Sequence, residues 1–145
     1  MPGLVHMSDA LSIALHTCLW VSDGDQGYQP SSRIAKELGF SYHHFAKVVQ
    51  KLVHADILET ARGPHGGIRL AGNPCDLTLL DIYTAAGGEP LTPHRCLLDP
   101  SICKGRACGL GLLIEEENQR LLKKMEETTL EALALSLDKS KLEIA

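Results

Sequence analysis

Apolar side chains recur at helical spacing from Ser8 to Val21, where Leu11, Ala14, Leu15, Cys18 and Leu19 fall at i, i+3, i+4, i+7 and i+8. That stripe predicts an amphipathic helix with Ser8 placed to cap it. The stretch Ser22 to Pro30 holds two Gly, two Asp and a Pro and reads as a connecting loop. Ser31 or Ser32 then opens a short helix through Ile34, Ala35 and Leu38, which Gly39 ends in the left-handed conformation. After Gly39-Phe40-Ser41 comes a third periodic segment capped by Ser41. Phe45, Val48, Val49, Leu52 and Val53 face inward there, and Tyr42, His43, Ala46, Lys47 and Gln50 face away.

Two helices joined by so short a Gly-containing turn form a helix-turn-helix. The pattern next switches to two strand-like runs, Ile57 to Arg62 and Ile68 to Ala71, around the turn Gly63-Pro64-His65-Gly66-Gly67, which predicts a β-hairpin. In that order the hairpin is the wing of a winged helix. Beyond Pro74, Leu77 to Ala86 reads as a short apolar helix stopped by Gly87-Gly88. Residues 87–109 carry four Gly and three Pro and read as a loop. Leu110 to Glu127 is a long amphipathic helix, and Thr128 followed by Glu131 reads as the capping box of a last short one. The fold class is therefore mainly α with a small β-wing. Its expected divisions are a winged helix-turn-helix DNA-binding domain at 8–86, a Cys-rich sensor loop at 87–109, and a dimerisation helix with a short terminal helix at 110–137. A long amphipathic helix beside so small a domain buries its stripe against a second copy, so a homodimer is expected.

Composition agrees with a helical core: 44% of the 145 residues are hydrophobic and only 4% aromatic. No run approaches the roughly 20 apolar residues of a membrane span. The first helical segment carries Asp9 and His16 and lacks a basic flank, so it does not read as a signal peptide, and the expected location is the cytoplasm. The net charge of -4 argues against a nucleic-acid partner until it is divided along the chain. Residues 31–72 hold six Lys or Arg (33, 36, 47, 51, 62 and 69) against three acids (37, 56 and 59), while each remaining stretch is net acidic. Positive charge is thus gathered on the helix-turn-helix and wing, as double-stranded DNA requires.

The runs Ser31 to Leu38 and Lys51 to Leu58, and above all the wing Arg62-Gly63-Pro64-His65-Gly66-Gly67-Ile68-Arg69-Leu70-Ala71, resemble the Rrf2 family of bacterial regulators. The likeness continues through Leu77 to Ile82 to Thr129-Leu130. The resemblance implies homodimers on operator DNA, with the third helix in the major groove and the wing's Arg in the minor groove. By position, Ser41, His43, Ala46 and Lys47 are the base-facing candidates and Arg62 the minor-groove residue; for Tyr42 and His44 phosphate contact, rim packing and neither role stay open. Ala46 departs from the polar residue that some members place there. Chemistry agrees with these roles, since Lys donates to guanine acceptors, Ser reads several base edges, and Arg responds to the potential of a narrow groove.

Of the five cysteines, Cys96, Cys103 and Cys108 crowd into thirteen residues, and Cys18 and Cys75 read as small buried hydrophobes. Three thiolates in a Gly-rich loop suit an iron-sulfur cluster or zinc, and Lys104, Arg106 and the start of the long helix would stabilise negative sulfur. The resemblance implies a cluster of two-iron or four-iron type, held in the family by three loop cysteines with five residues between successive pairs. Here six residues separate the first pair and four the second, so only the middle ligand is shifted. The fourth ligand varies in the family: a His shortly after the last Cys, where this chain has Gly111; an acid on the partner's first helix, where it has Ser12; or a His one turn later, which His16 matches. Asp9 and His94 are further candidates. Three readings stay open: a cluster-controlled DNA-binding repressor, a regulator of the same fold using bare thiols or a protein partner, and a zinc-stabilised module or thiol enzyme. No Ser-His-Asp or Cys-His-Asn pattern and no phosphate loop supports an enzyme.

Overall fold

A computed structural model describes residues 7–22, 27–88, 102 and 108–136. The chain runs α1 (Asp9–Val21), α2 (Ser31–Glu37), α3 (Tyr42–His54), β1 (Leu58–Ala61), β2 (Gly67–Leu70), α4 (Leu79–Ala85), α5 (Gly109–Glu127) and α6 (Leu130–Ser136). It is a winged helix, mostly helical with one small antiparallel sheet.

The expected apolar faces build one core. Phe45, Val48, Val49 and Leu52 of α3 are buried together with Ile34 and Ala35 of α2, Leu58 and Ile68 of the wing, and Ile82 of α4. Helix α1 lies at the centre, against α3, α4, α6 and β2. For that reason its buried arc is wider than the sequence stripe and takes in Ile13 and Thr17, while Leu15 and Leu19 are only half-buried. Ser8 caps α1 as expected, its hydroxyl accepting from Leu11 N–H at 3.2 Å. Gly39, at φ 71°, ends α2, where its N–H and that of Phe40 reach back to the Lys36 and Ala35 carbonyls.

Other caps depart from expectation. Neither Ser31 nor Ser32 caps α2. The helix starts at Ser31 behind Pro30, whose carbonyl takes the Arg33 and Ile34 N–H groups. Ser41 stands at the N-cap of α3 without a side-chain bond. Thr128 does not cap α6: its hydroxyl donates back to the Lys124 carbonyl at 2.6 Å, and Thr129 accepts from Ala132 N–H instead. Thr78 and Asp81 form a reciprocal capping box on α4, Thr78 N–H to Asp81 Oδ2 at 2.9 Å and Asp81 N–H to Thr78 Oγ1 at 3.1 Å.

Helix α5 is fastened at its C-terminal end. Met125 is its one buried residue among those described. Directly after it, Leu79 N–H donates to the Thr128 carbonyl (2.9 Å) and Leu130 N–H to the Leu77 carbonyl (2.7 Å). Leu130 itself is fully buried. At the other end Leu110, Leu112 and Leu113 are about half exposed. No helix of the described residues is long and apolar enough to cross a membrane.

Candidate nucleic-acid interface and sensor site

The turn between α2 and α3 aims one polar face of α3 outward. Ser41, Tyr42, His43 and Lys47 are exposed, with Gln50 continuing the face one turn on, because the buried residues Phe45, Val48, Val49 and Leu52 occupy the opposite side. The exposed Tyr42 ring lies on the buried Phe45 ring, with centroids 6.5 Å apart and planes at 26°. Ala46 and His44 are half-buried, as suits residues at the rim. Farther along α3, Lys51 donates through Nζ to the Ala86 carbonyl at 3.3 Å, satisfying the C-terminus of α4.

In the wing, Leu58 pairs with Leu70, Glu59 with Arg69, Thr60 with Ile68 and Ala61 with Gly67. Arg62 follows directly after β1 and is exposed at the start of the turn. Residues read from sequence as a plain loop turn out to extend this hairpin. Gln29 N–H donates to the Ile68 carbonyl (2.9 Å) and Ile68 N–H to the Gln29 carbonyl (2.8 Å), a reciprocal pair that adds a third segment to the wing. The Gln29 side chain is buried and accepts from Trp20 Nε1 at 2.8 Å, and this indole bond ties the connection to α1. Beside it, Tyr28 Oη donates to Glu59 at 3.0 Å. Arg69 Nε also donates to Glu59, and its guanidinium stands 4.5 Å above the Tyr28 ring. The two donors, Arg69 foremost, hold the Glu59 carboxyl below its usual range. Nothing in a period-two or period-3.6 pattern marks Tyr28 or Gln29; a Tyr-Gln pair inside a Gly/Asp run is the most the sequence offers.

Of the sensor candidates, Cys96, Cys103 and His94 lie outside the described residues, as do Lys104 and Arg106. Cys108 is half-buried at the N-cap of α5, and its thiol makes no capping bond. His16 is exposed on α1. Its Nδ1 stands 2.7 Å from the Ser12 carbonyl oxygen, and because that oxygen can only accept, Nδ1 is the donor of this bond and Nε2 takes no part in it. The imidazole edge meets the Phe40 ring at 6.3 Å. Asp9 is exposed in the first turn of α1. Among the described residues no three His, Cys, Asp or Glu side chains gather as a metal ion would need.

The two isolated cysteines differ. Cys18 is fully buried, as expected, and desolvation pushes its thiol up to about 12, so it stays a protonated hydrophobe. Cys75 corrects the expectation of burial: it is exposed. It follows Pro74 in a surface turn, with its N–H on Asn73 Oδ1 at 3.2 Å. Partial desolvation and the neighbouring Asp76 raise its thiol as well.

A protein-family model described as "Rrf2: Iron-dependent Transcriptional regulator" matches residues 7–135. The chain belongs to the Rrf2 family. Its members are transcriptional regulators and not enzymes. This Rrf2 protein is 44% identical over 72 residues to the HTH-type regulator BadM of Rhodopseudomonas palustris, a match covering 50% of the chain and 41% of BadM. Less than half the length of that relative is therefore spanned. It is 27% identical over 140 residues to the HTH-type transcriptional regulator NsrR of Geobacillus kaustophilus, with 87% of each covered. Among solved structures, CymR, the global cysteine regulator of B. subtilis, superposes with a TM-score of 0.74 at 24% identity, covering 93% of this chain and 100% of that one. T. potens IscR does so at 0.74 and 17%, covering 95% and 92%. At those identities the superpositions establish the winged-helix fold of the Rrf2 protein.

Proposed function

We propose that this Rrf2 protein is a cytoplasmic homodimeric repressor whose grip on operator DNA is set by an iron-sulfur cluster. The observation that carries the DNA reading is the outward polar face of α3 beside a wing that opens on Arg62. Ser41, Tyr42, His43 and Lys47 face the major groove, with Lys47 donating to base acceptors and Tyr42 packed on Phe45 at the groove edge. Arg62 enters the minor groove, where the potential favours a guanidinium. Leu110, Leu112 and Leu113 at the open end of α5 supply the apolar face that a second copy covers.

The residues present fit a cluster in kind. Cys96, Cys103 and Cys108 supply soft thiolates. His16 supplies an imidazole whose Nδ1–H is already committed to a backbone carbonyl, the second bond that orients a histidine ligand. The thiol of Cys108, unused in capping, is available for the same role. When bound, the cluster supplies a redox-active centre sensitive to oxidants, nitric oxide and iron supply. The same loop serving as bare thiols is the competing outcome.

Arg62→Ala is expected to weaken binding to duplex DNA from the region upstream of the protein's own gene by about tenfold to hundredfold, the size of one lost groove contact. The dimer and the unfolding midpoint should not change. Unaltered affinity in an electrophoretic or fluorescence titration would remove the wing from the interface. For the sensor, protein purified without oxygen should be coloured, carry iron and sulfide in matching amounts, and lose both on Cys103→Ala. Colourless, iron-free protein whose DNA affinity still responds to a disulfide-forming oxidant would establish thiol control instead.

A further inference from the structure

We infer that Tyr28, Glu59 and Arg69 are positioning residues for DNA binding, which lock the wing at the angle Arg62 needs. This rests on the reading of Arg62 as a groove contact. A two-stranded hairpin with four register pairs has marginal stability by itself. Leu58 and Ile68 seat its inner side in the core. Its outer side is held by one carboxylate: Glu59 on β1 accepts from Arg69 on β2 and from Tyr28 on the α1–α2 connection. The guanidinium completes a ring of contacts by stacking on the phenol that shares its acceptor. Together with the Gln29–Ile68 backbone pair, three chain segments are pinned within a few residues of the wing's turn. Glu59 precedes Arg62 by three residues, about 10 Å of extended chain at most.

The Tyr28–Glu59–Arg69 group contributes little to folding stability. The Arg69 and Glu59 side chains are 49 and 38% exposed, and ion pairs at such exposure add little. Its electrostatic sign is also adverse: a carboxylate within roughly a Debye length of the DNA repels phosphate, and it occupies an arginine that would otherwise be a free cation. Charge alone therefore says that removing Glu59 strengthens DNA binding. Positioning says the reverse.

The test is affinity for the upstream duplex at fixed salt, in a double-mutant cycle with Arg62. Glu59→Ala is expected to weaken binding roughly threefold to tenfold in the parent protein and to cause no loss in the Arg62→Ala background. Tyr28→Phe, which leaves net charge unchanged and keeps the ring beneath Arg69, should show a smaller loss with the same dependence on Arg62. Thermal unfolding of both variants should stay near that of the parent. A gain in affinity on Glu59→Ala, or an equal loss with and without Arg62, overturns the inference while Arg62→Ala can still confirm the wing contact. If Arg62→Ala alone has no effect, the wing reading falls and this inference with it.

Discussion

Gly67→Ala should cost the protein about 2–4 kcal/mol and most of its DNA affinity, although it adds a single methyl group. A Cβ at this position would lie 2.0 Å from the Gln29 carbonyl oxygen and 2.3 Å from its carbon. Both are backbone atoms that no rotamer change can move. The φ of 144° belongs to a region that L side chains rarely adopt. Relief requires the connection to separate from β2, breaking the reciprocal bonds between Gln29 and Ile68 at 2.9 and 2.8 Å and loosening the Trp20 bond to Gln29. The wing would then lose its third segment together with the alignment of Arg62. Gly72→Ala is the control, because a Cβ there meets nothing within 4 Å and should be close to neutral. Urea melts of the two variants, with duplex titrations alongside, make the comparison. Equal behaviour of both variants would mean that Gln29 is not seated against β2.

Phe45→Ala should cost more, about 3–5 kcal/mol, through lost burial and the cavity left behind. Phe45 is fully buried among the core residues of α1, α2, α3 and the wing. Against a typical total of about 5–15 kcal/mol, that loss lowers the thermal midpoint by about 10 °C or more at fixed protein concentration. A second effect follows from position, because Phe45 is the surface on which Tyr42 rests. Variants that remain folded at low temperature should therefore also bind DNA less tightly. A loss below about 1 kcal/mol would show that the ring is not enclosed as described.

The hydrophobic period of α3 and the switch from period 3.6 to period 2 at Ile57 were sufficient to read the winged helix, because both are local and strong. Boundaries fell within two residues for the same reason, as α4 shows: Leu77 to Ala86 against Leu79–Ala85. What escaped is non-local. Gln29 joins the wing only because β2 comes to lie beside it, and a Gly/Asp-rich run gives no sign of that pairing. Cap chemistry failed where adjacent candidates compete: Thr128 and Thr129 both precede α6, and only the backbone decides which hydroxyl meets Ala132 N–H. The Thr78-x-x-Asp81 box carries Asp where the capping-box pattern has Glu or Gln, so that pattern does not mark it. Residue type alone argues for a buried Cys75, while the Asn-Pro-Cys-Asp turn holds it outside. Of the ligand candidates Cys96, Cys103, Cys108 and His16, the structure describes Cys108 and His16, and the bond from His16 Nδ1 to the Ser12 carbonyl is information that no residue pattern contains.

The anchorage of α5 has a mechanical corollary. Nineteen helical residues make a rod of about 28 Å, pinned where Thr128 and Leu130 grip the segment before α4 and carrying Cys108 at its far tip. About that pivot, a shift of 1 Å at the sulfur end amounts to a turn of only about 2° at the pinned end. A displacement at the Cys108 tip would therefore reach Leu130 only as a small rotation.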